Sequence, residues 1–375
     1  RVRVRGRVRV RVRVRVRVSS ACSTSPVTPR SSACASAAPA PHRSAPCRAA
    51  WSYALSASTL AEIALEIDPR DLDPARLDAW ATAGVNRASL GVQDLDPEVQ
   101  KAINRIQPAE ATAQAVQELR ARGIHAINID LVHGLPHQTV EGVIATVDQV
   151  LTLAPDRVAL FGYAHVPTLK PHQRLVPEHA LPGAVERLEQ AEAAARRLIA
   201  AGYAGIGLDH FARPEDSLAV AQREGRLRRN FQGYTTDMAT AILGFGPSAI
   251  GDLPGGYVQN TTDVRAWREA IAAGRLGTVR GVAVTADDLL RRAVIERLMC
   301  DHAVDVAAVA AGQGRDPAEL ADAFARLAPL EARGVVVRDG WRLTVPAGMT
   351  PDVQRVATCF DTYLNPAVWA MVAAE

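Results

Sequence analysis

Hydrophobic and polar residues alternate in four short segments of this chain, and each segment runs into a stretch with helical spacing. The clearest is INIDLVHGLP at 127–136, where every second residue from 127 to 131 is isoleucine or leucine. Asn128 and Asp130 lie between them, so a strand here has one apolar and one polar face. A glycine and a proline end the strand, and a helical pattern follows over 139–153.

The other three segments are 65–69, 86–94 and 156–165. Repeated strand–helix units predict a parallel sheet. Both faces of such a sheet are ordinarily apolar, and buried carboxylates need partners. One face here is predicted to be polar, which indicates a lumen that holds a ligand. Taken singly, each polar residue could instead be a helix cap or a structural carboxylate. The polar residues are Glu66, Asp68, Ser89, Gln93, Asn128 and Asp130.

Helical spacing predicts the connecting helices and a mainly helical C-terminal third. A hairpin is predicted over 335–345, with its turn at Asp339 and Gly340. Helices followed by a hairpin resemble a winged helix, a shape that implies no function by itself. The predicted helices are 74–83, 97–103, 108–122, 139–153, 185–201, 287–300 and 317–333.

The first 60 residues differ in composition from the rest. Arg and Val alternate over 1–18, and Ser, Ala and Pro dominate to about residue 50. Residues 1–61 contain 12 arginines and no acid, so the remainder carries 43 − 12 = 31 basic and 40 acidic residues, a net charge of −9. The open alternatives are a cationic strand, a basic arm, a transit peptide or low-complexity sequence without selected function. We expect residues 1–60 to be disordered.

The segment 205–236 is the least generic part of the chain, because it interleaves cations with aromatic residues. Guanidinium groups pair with carboxylates and rings pack on flat surfaces, so this composition suits a planar polyanion. RNA would satisfy the same chemistry, and a loop with internally paired charges is the alternative. A nucleic-acid binder that uses the arginine-rich leader is a further interpretation, which the acidic body disfavours. The residues concerned are Asp209, His210, Phe211, Arg213, Arg223, Arg228, Arg229, Phe231 and Tyr234.

The five cysteines are Cys22, Cys34, Cys47, Cys300 and Cys359. Their spacing matches neither a zinc site nor an iron–sulfur site, and their odd number argues against a disulfide framework. No apolar run is long enough to cross a membrane. We therefore expect a cytoplasmic protein without a membrane partner.

Eight segments together resemble the oxygen-independent coproporphyrinogen III oxidases of the radical S-adenosylmethionine (SAM) superfamily. The resemblance extends from about Ala61 to Leu364 and implies an α/β fold. It implies a partial (β/α) radical-SAM-type barrel over 61–250, missing its first strands and open at the edge LEIDP, and a mainly helical C-terminal domain over 251–375. The segments are EIDPRDLD, NRASLGVQD, QKAINRIQ, NIDLVHGLP, FGYAHVPT, GLDHFARPEDSLAVAQREG, RNFQGYTT and CFDTYL.

The resemblance also implies a reaction and its participants. The family decarboxylates two propionates of coproporphyrinogen III to give protoporphyrinogen IX in anaerobic haem biosynthesis, using SAM, a [4Fe–4S] cluster and a reductant for that cluster. We expect a monomer with no nucleic-acid partner. The implied SAM contacts are Glu66, Gln93, Arg105, Asp130, Ala164 and Ile250. The expected substrate contacts are His210, Arg213, Arg223, Arg229 and Gln232.

The sequence departs from the family at the cluster. The family binds its cluster through CxxxCxxC and meets SAM with a GGGTPT segment, and neither motif occurs in these 375 residues. Eleven and twelve residues separate Cys22, Cys34 and Cys47, which is too far for one cluster loop. We therefore expect this chain to be inactive as printed. A haem-binding or haem-trafficking relative of the same superfamily is the alternative, and the HFARP and NFQGYTT segments argue against it.

Overall fold

A seven-stranded sheet is the largest element of the computed structural model, which describes residues 12–14, 62–347 and 352–364. The strand order is β1-β2-β3-β4-β5-β7-β6. Strands β2 to β5 are parallel, as predicted, whereas β1 and β7 run antiparallel to their neighbours. The strands are β1 (Val12–Val14), β2 (Ile63–Ile67), β3 (Arg87–Gln93), β4 (Ala126–His133), β5 (Arg157–Gly162), β6 (Ala204–Ile206) and β7 (His210–Ala212).

Five helices connect these strands, and their ends fall within one residue of the predicted ends. Several of these helices are capped by the side chain of the residue before their first turn. Asp73 accepts the N–H of Ala75, and Thr139 Oγ1 accepts the N–H of Gly142 at 3.1 Å. The helices are α1 (Pro74–Thr82), α2 (Pro97–Ala102), α3 (Ala109–Ala121), α4 (Val140–Thr152) and α5 (Ala184–Ala200).

The two faces of the sheet differ as the alternation predicts. On β4, Ile127 and Ile129 are fully buried and Leu131 is 2% exposed, and they pack with residues of α1, α3, α4 and α5 in one core. The helix-covered face is therefore the core of the barrel region. The opposite face carries the polar residues that alternate with these.

The edge of the sheet corrects one expectation. The residues LEIDP were predicted to form an open edge, but β1 pairs antiparallel with β2, with Val12 opposite Leu65 and Val14 opposite Ile63. An unpaired edge offers free N–H and C=O groups, and an Arg/Val alternation is compatible with a strand. Apart from 12–14, the disorder expected for 1–60 concerns residues outside the described part.

A second group of elements follows the sheet. Helix α6 (Ser217–Arg223) leads into a two-stranded hairpin of β8 (Arg228–Asn230) and β9 (Gly233–Thr235). A three-stranded antiparallel sheet comes next, and it was not predicted because its strands are short and rich in glycine. A Cβ on Gly256 would lie 2.2 Å from Val282 O, so close strand approach requires that glycine. These elements are β10 (Ile250–Leu253), β11 (Gly256–Asn260), α7 (Val264–Ala272) and β12 (Thr278–Ala283).

The C-terminal region is mainly helical and ends in the predicted hairpin, with Gly340 (φ 58°) in its turn. Its own core spans residues 290–360. The boundary expected between 250 and 251 falls inside β10, so we propose that this domain begins near Thr285. Its elements are α8 (Ala286–Asp301), β13 (Ala303–Asp305), α9 (Val306–Gly312), α10 (Ala321–Ala332), β14 (Val337–Asp339), β15 (Arg342–Thr344) and α11 (Val353–Thr358).

Candidate functional site

The polar face of the sheet lines a cavity of about 430 Å³. That volume is within the range of small-molecule sites, about 300–1,000 Å³. One wall is formed by alternate residues of β2 to β5, and the other includes β7 and the β8–β9 hairpin. Its ionisable residues of both signs are Glu62, Glu66, Arg87, Asp130, Arg157, Asp209, His210 and Arg229.

A hydrogen-bonded triad occupies the middle of the sheet wall. Ser89 Oγ donates to Asp130 Oδ2 at 3.0 Å, and Asn128 Nδ2 donates to both Ser89 Oγ and Asp130 Oδ1 at 2.7 Å. The register places Ser89 beside Asn128 on adjacent parallel strands, which brings the three side chains together. Asn128 Oδ1 is buried without a partner among the described residues, so an acceptor remains for a ligand.

Burial raises the pKa of Asp130 above its ordinary value of 3.8. The hydrogen bonds from Ser89 and Asn128 and the charge of His210 work in the opposite direction, and the charge of Glu66 adds to the effect of burial. Glu66 and Asp130 therefore face the same cavity, and Asp130 is poorly solvated. Such a pair is a strong acceptor site for hydroxyl and amino groups.

A second cluster lies at the carboxyl ends of β2 and β3. Gln93 has φ 71°, which turns its side chain back over the sheet, and a Cβ on Gly91 would lie 3.0 Å from Gln93 Nε2. Arg105 donates to Gly91 O at 2.6 Å and to Asp68 Oδ2 at 3.2 Å. Gly91 is opposite Asp130 in the register, so this cluster continues the polar face beyond the residues that line the cavity. Arg105 Nε is buried without a partner in the described part of the chain.

Asp94 supports this cluster and was missed from the sequence. It is 1% exposed, and its carboxylate accepts the side chain of Gln138 at 2.5 Å, the N–H of Asp96 at 2.6 Å and Thr146 Oγ1 at 3.2 Å. Burial raises its pKa against these hydrogen bonds. The network ties the loop after β3 to helix α4 and so fixes the backbone next to Gln93. No periodicity marks such a residue, because it follows the end of a strand.

Two arginines at the starts of β3 and β5 form the floor of the cavity, and they were also missed. Arg157 Nε donates to both oxygens of Asp216 at 2.9 Å, and Arg87 Nε donates to Glu62 at 2.9 Å. Arg87 is also within 3.7 Å of Asp216. Both cations are thus paired with carboxylates at the floor, and only Nη1 of Arg87 is buried without a partner among the described atoms of the two side chains. The sequence signal that could have identified them is an arginine at the first position of each of the two strands.

The opposite wall carries His210 and Arg229. His210 Nδ1 is 2.7 Å from Asp209 Oδ1, and its ring makes edge contacts with Phe161 and Tyr234. A carboxylate beside Nδ1 favours the tautomer with the proton there. Arg229 lies over the ring of Tyr234, 5.6 Å from its centre, and its buried Nε has no partner among the described residues. Arg229 is therefore a cation available to a ligand.

The predicted site residues do not all lie at the cavity. Glu66, Asp130, His210, Arg229 and Gln232 line the cavity, and Gln93 and Arg105 lie at its carboxyl-end margin. Ala164 lies in the loop after β5, where its carbonyl accepts Gln173 Nε2, and Ile250 begins β10. Neither of these two residues lines the cavity.

Arg213 and Arg223 lie elsewhere, which corrects the expectation of one arginine cluster. Arg213 donates to Pro155 O at 3.1 Å, at the start of β5, and Arg223 donates to Pro214 O at 2.7 Å. Because β7 runs antiparallel to β5, residue 213 lies about 10 Å along the strand from His210, toward the amino ends of the parallel strands. Phe211 points to the core face.

The described donors do not fit a [4Fe–4S] cluster. Cys300 and Cys359 are both buried, and burial raises the pKa of Cys300 to about 12, which disfavours the thiolate that a metal needs. No three His, Cys, Asp or Glu side chains converge as a metal site within 62–347 and 352–364. Cys22, Cys34 and Cys47 lie outside the described residues. The carboxylates and orphaned polar atoms of the cavity do fit SAM, a ligand with hydroxyl, amino and carboxylate groups.

Family models match two parts of the chain. A model described as the Radical SAM superfamily matches residues 47–150, and one described as the HemN C-terminal domain matches residues 284–348. Across the described part of the chain, no helix is both long enough and apolar enough to span a bilayer.

Curated relatives and a solved structure extend these matches. An oxygen-independent coproporphyrinogen III oxidase from Bradyrhizobium diazoefficiens is 53% identical over 306 residues, covering 82% of this chain and 68% of the relative. The Escherichia coli K12 relative of the same name is 41% identical over 309 residues, covering 81% and 67%. A solved structure described as coproporphyrinogen III oxidase (HemN) from Escherichia coli, a radical SAM enzyme, matches with a TM-score of 0.77 and 40% identity. The match covers 82% of this chain and 71% of that one.

Proposed function

We propose a role for each wall of the cavity, starting from the fact that this chain belongs to the oxygen-independent coproporphyrinogen III oxidases, a family of radical SAM enzymes. The sheet wall holds SAM, and the opposite wall holds coproporphyrinogen III. The observation that supports this division is that Glu66 and Asp130 line the same cavity as His210 and Arg229. Acceptors for a nucleoside and cations for propionates are thereby brought together.

On the SAM side, we propose contacts from Glu66, Gln93, Arg105, Asp130, Ala164 and Ile250. The carboxylates of Glu66 and Asp130 accept hydrogen bonds from the ribose hydroxyls or the amino group of SAM, and Arg105 pairs with the carboxylate of SAM. The positive φ of Gln93 and the missing side chain of Gly91 support the placement of Gln93 and Arg105, because both side chains pack against Gly91. For Ala164 and Ile250 the support is the family resemblance alone. SAM, when bound, would supply the 5′-deoxyadenosyl group, which in this family is the source of the radical that acts on a propionate side chain.

On the substrate side, we propose Arg229, His210 and Gln232. Coproporphyrinogen III carries four propionates, and Arg229 is a cavity cation whose buried Nε has no partner in the described part of the chain. The floor arginines are matched by Asp216 and Glu62, so they are less available to a propionate. Arg213 and Arg223 are left out because their contacts lie away from the cavity.

No step is assigned to a cluster, since the described residues do not fit one. A reductant, a monomeric state, a cytoplasmic location and the absence of a nucleic-acid partner stay predictions.

Titration of the full chain with coproporphyrin III, the stable oxidised form of the substrate, tests the proposal through fluorescence quenching. Arg229→Ala should weaken binding about 10- to 100-fold, the effect of losing a charged hydrogen bond. Arg213→Ala is the matched control, because it removes an arginine of the same segment outside the cavity, and it should stay within about twofold. Equal losses in the two variants would refute the placement of the substrate.

A further inference from the structure

The hairpin β8–β9 brings Arg229, Phe231 and Gln232 to the cavity wall, but among the described residues its two strands pair only with each other. Its two strands pair through Arg228–Thr235, Arg229–Tyr234 and Asn230–Gly233, and no third strand joins them in the described chain. Isolated two-stranded hairpins are marginally stable in water. Something else must hold Arg229, Phe231 and Gln232 in the cavity wall.

Helix α8 of the C-terminal region supplies that support. Glu296 Oε1 accepts both Arg228 Nε at 2.7 Å and the backbone N–H of Arg229 at 2.9 Å. The side chain of Glu296 is 13% exposed, so its hydrogen bonds are shielded from water. One oxygen atom therefore fixes both the side chain that points away from the cavity and the backbone of the residue that points into it.

Two further contacts come from the same helix. Arg297 donates to Leu227 O, at the entry of the hairpin, and Tyr234 Oη donates to Met299 O at 3.1 Å. Tyr234 Oη also accepts the N–H of Leu208 at 3.0 Å, which joins the hairpin to the segment before His210. Three positions of one helix thus hold the hairpin against the cavity.

We infer that Glu296 is a positioning residue for the porphyrinogen site, and that the C-terminal domain is part of that site through α8. Glu296 does not line the cavity; it acts by fixing Arg229. The inference rests on the proposed function for its substrate, but the hairpin clamp itself does not depend on any ligand.

Hydrogen–deuterium exchange of residues 227–235 and coproporphyrin III titration, both on the full chain, test the inference. In Glu296→Ala, exchange at the Arg229 amide should be about tenfold faster and coproporphyrin III should bind about tenfold more weakly. Glu296→Gln should stay within about threefold in both, because its amide oxygen can accept both bonds. Asp287→Ala is the matched control: it removes a carboxylate from the same helix that pairs with Arg291 at 2.7 Å instead of the hairpin.

The outcomes separate the clamp from the substrate. Parental exchange in Glu296→Ala, or an equal change in Asp287→Ala, would overturn the clamp. Faster exchange with unchanged coproporphyrin III affinity would overturn the positioning role, since the hairpin would loosen without effect on the ligand. If the role of Glu296 were only structural, Glu296→Ala and Glu296→Gln would both lower the melting temperature. The two variants would then not differ in exchange at Arg229 or in affinity for coproporphyrin III. If the parent chain fails to bind coproporphyrin III, the proposed function fails, and exchange still decides whether Glu296 holds the hairpin.

Discussion

Ile129 and Asp130 are adjacent on β4, yet they belong to opposite regions of the molecule. Ile129 is fully buried among the helices that cover one face of the sheet. Asp130 is bound to Ser89 and Asn128 on the face that lines the cavity. Apolar burial on the first face favours folding, whereas burial of the carboxylate on the second opposes its ionisation. The same strand therefore contributes stability through one face and ligand chemistry through the other.

The largest expected effect tests whether the cavity face is sufficient for the family's chemistry. The chain as printed lacks CxxxCxxC, so after anaerobic iron and sulfide reconstitution we expect neither cluster absorption nor 5′-deoxyadenosine when dithionite, SAM and substrate are supplied. A family N-terminus with CxxxCxxC and GGGTP, grafted ahead of Ala61, should restore both signals. Turnover by the ungrafted chain would contradict this and would show that other ligands hold the iron.

The next effect concerns the helix-covered face. Ile129→Ala should lower the free energy of unfolding by about 2–5 kcal/mol, because it opens a cavity in a fully packed core. Urea unfolding followed by circular dichroism measures it. Ile199→Ala is the matched control, since Ile199 is 55% exposed on α5 and should change stability by less than about 0.5 kcal/mol. Similar losses in both variants would mean that the core does not lie on this face.

The matching change on the cavity face is Asp130→Asn. It should weaken binding of S-adenosylhomocysteine about 10- to 100-fold by calorimetry, because a charged acceptor is lost. Stability should not fall, since the amide can donate to Ser89 Oγ and still accept from Asn128. Asp78→Asn removes an exposed carboxylate that pairs with Arg122 and should leave binding unchanged. If Asp130→Asn unfolds the protein as Ile129→Ala does, the two faces are not distinct in role.

Alternation alone was enough to predict this contrast on β4, because a period of two assigns every side chain of a strand to one face. Helix ends were equally predictable, since Asp73 and Thr139 are local capping signals. The arginine-rich segment was not predictable in the same way. His210 and Arg213 are three residues apart in sequence, but His210 begins the antiparallel strand β7 and Arg213 follows its other end, and the direction of β7 depends on its pairing with β5.

The roles of residues that contact distant parts of the chain could not be predicted from the sequence for a similar reason. Asp94 binds Gln138 and Thr146 from the next strand–helix unit, and Glu296 reaches a hairpin about 70 residues earlier in the chain. Neither residue differs locally from an ordinary surface carboxylate. A strand in the Arg/Val repeat was among the open alternatives, but the pairing of β1 with β2 was not predicted, because low-complexity composition suggested no fold.

The smallest expected effect is the pH dependence of the difference in stability between the parent and Asp130→Asn. Burial raises the folded-state pKa of Asp130 above its ordinary value of 3.8, with Glu66 acting in the same direction and His210 in the opposite one. For a group whose pKa is raised on folding, the contribution to stability is fully present below the unfolded pKa and is lost as pH rises through the folded pKa. The parent should therefore match or exceed Asp130→Asn in stability near pH 3.8 and fall progressively behind it toward neutral pH. Urea unfolding of both proteins at intervals between about pH 4 and about pH 8 measures the difference, and subtracting the two curves removes the titration of all groups that they share. A difference that is independent of pH, or that grows in favour of the parent as pH rises, would show that hydrogen bonds from Ser89 and Asn128 outweigh burial at this carboxylate.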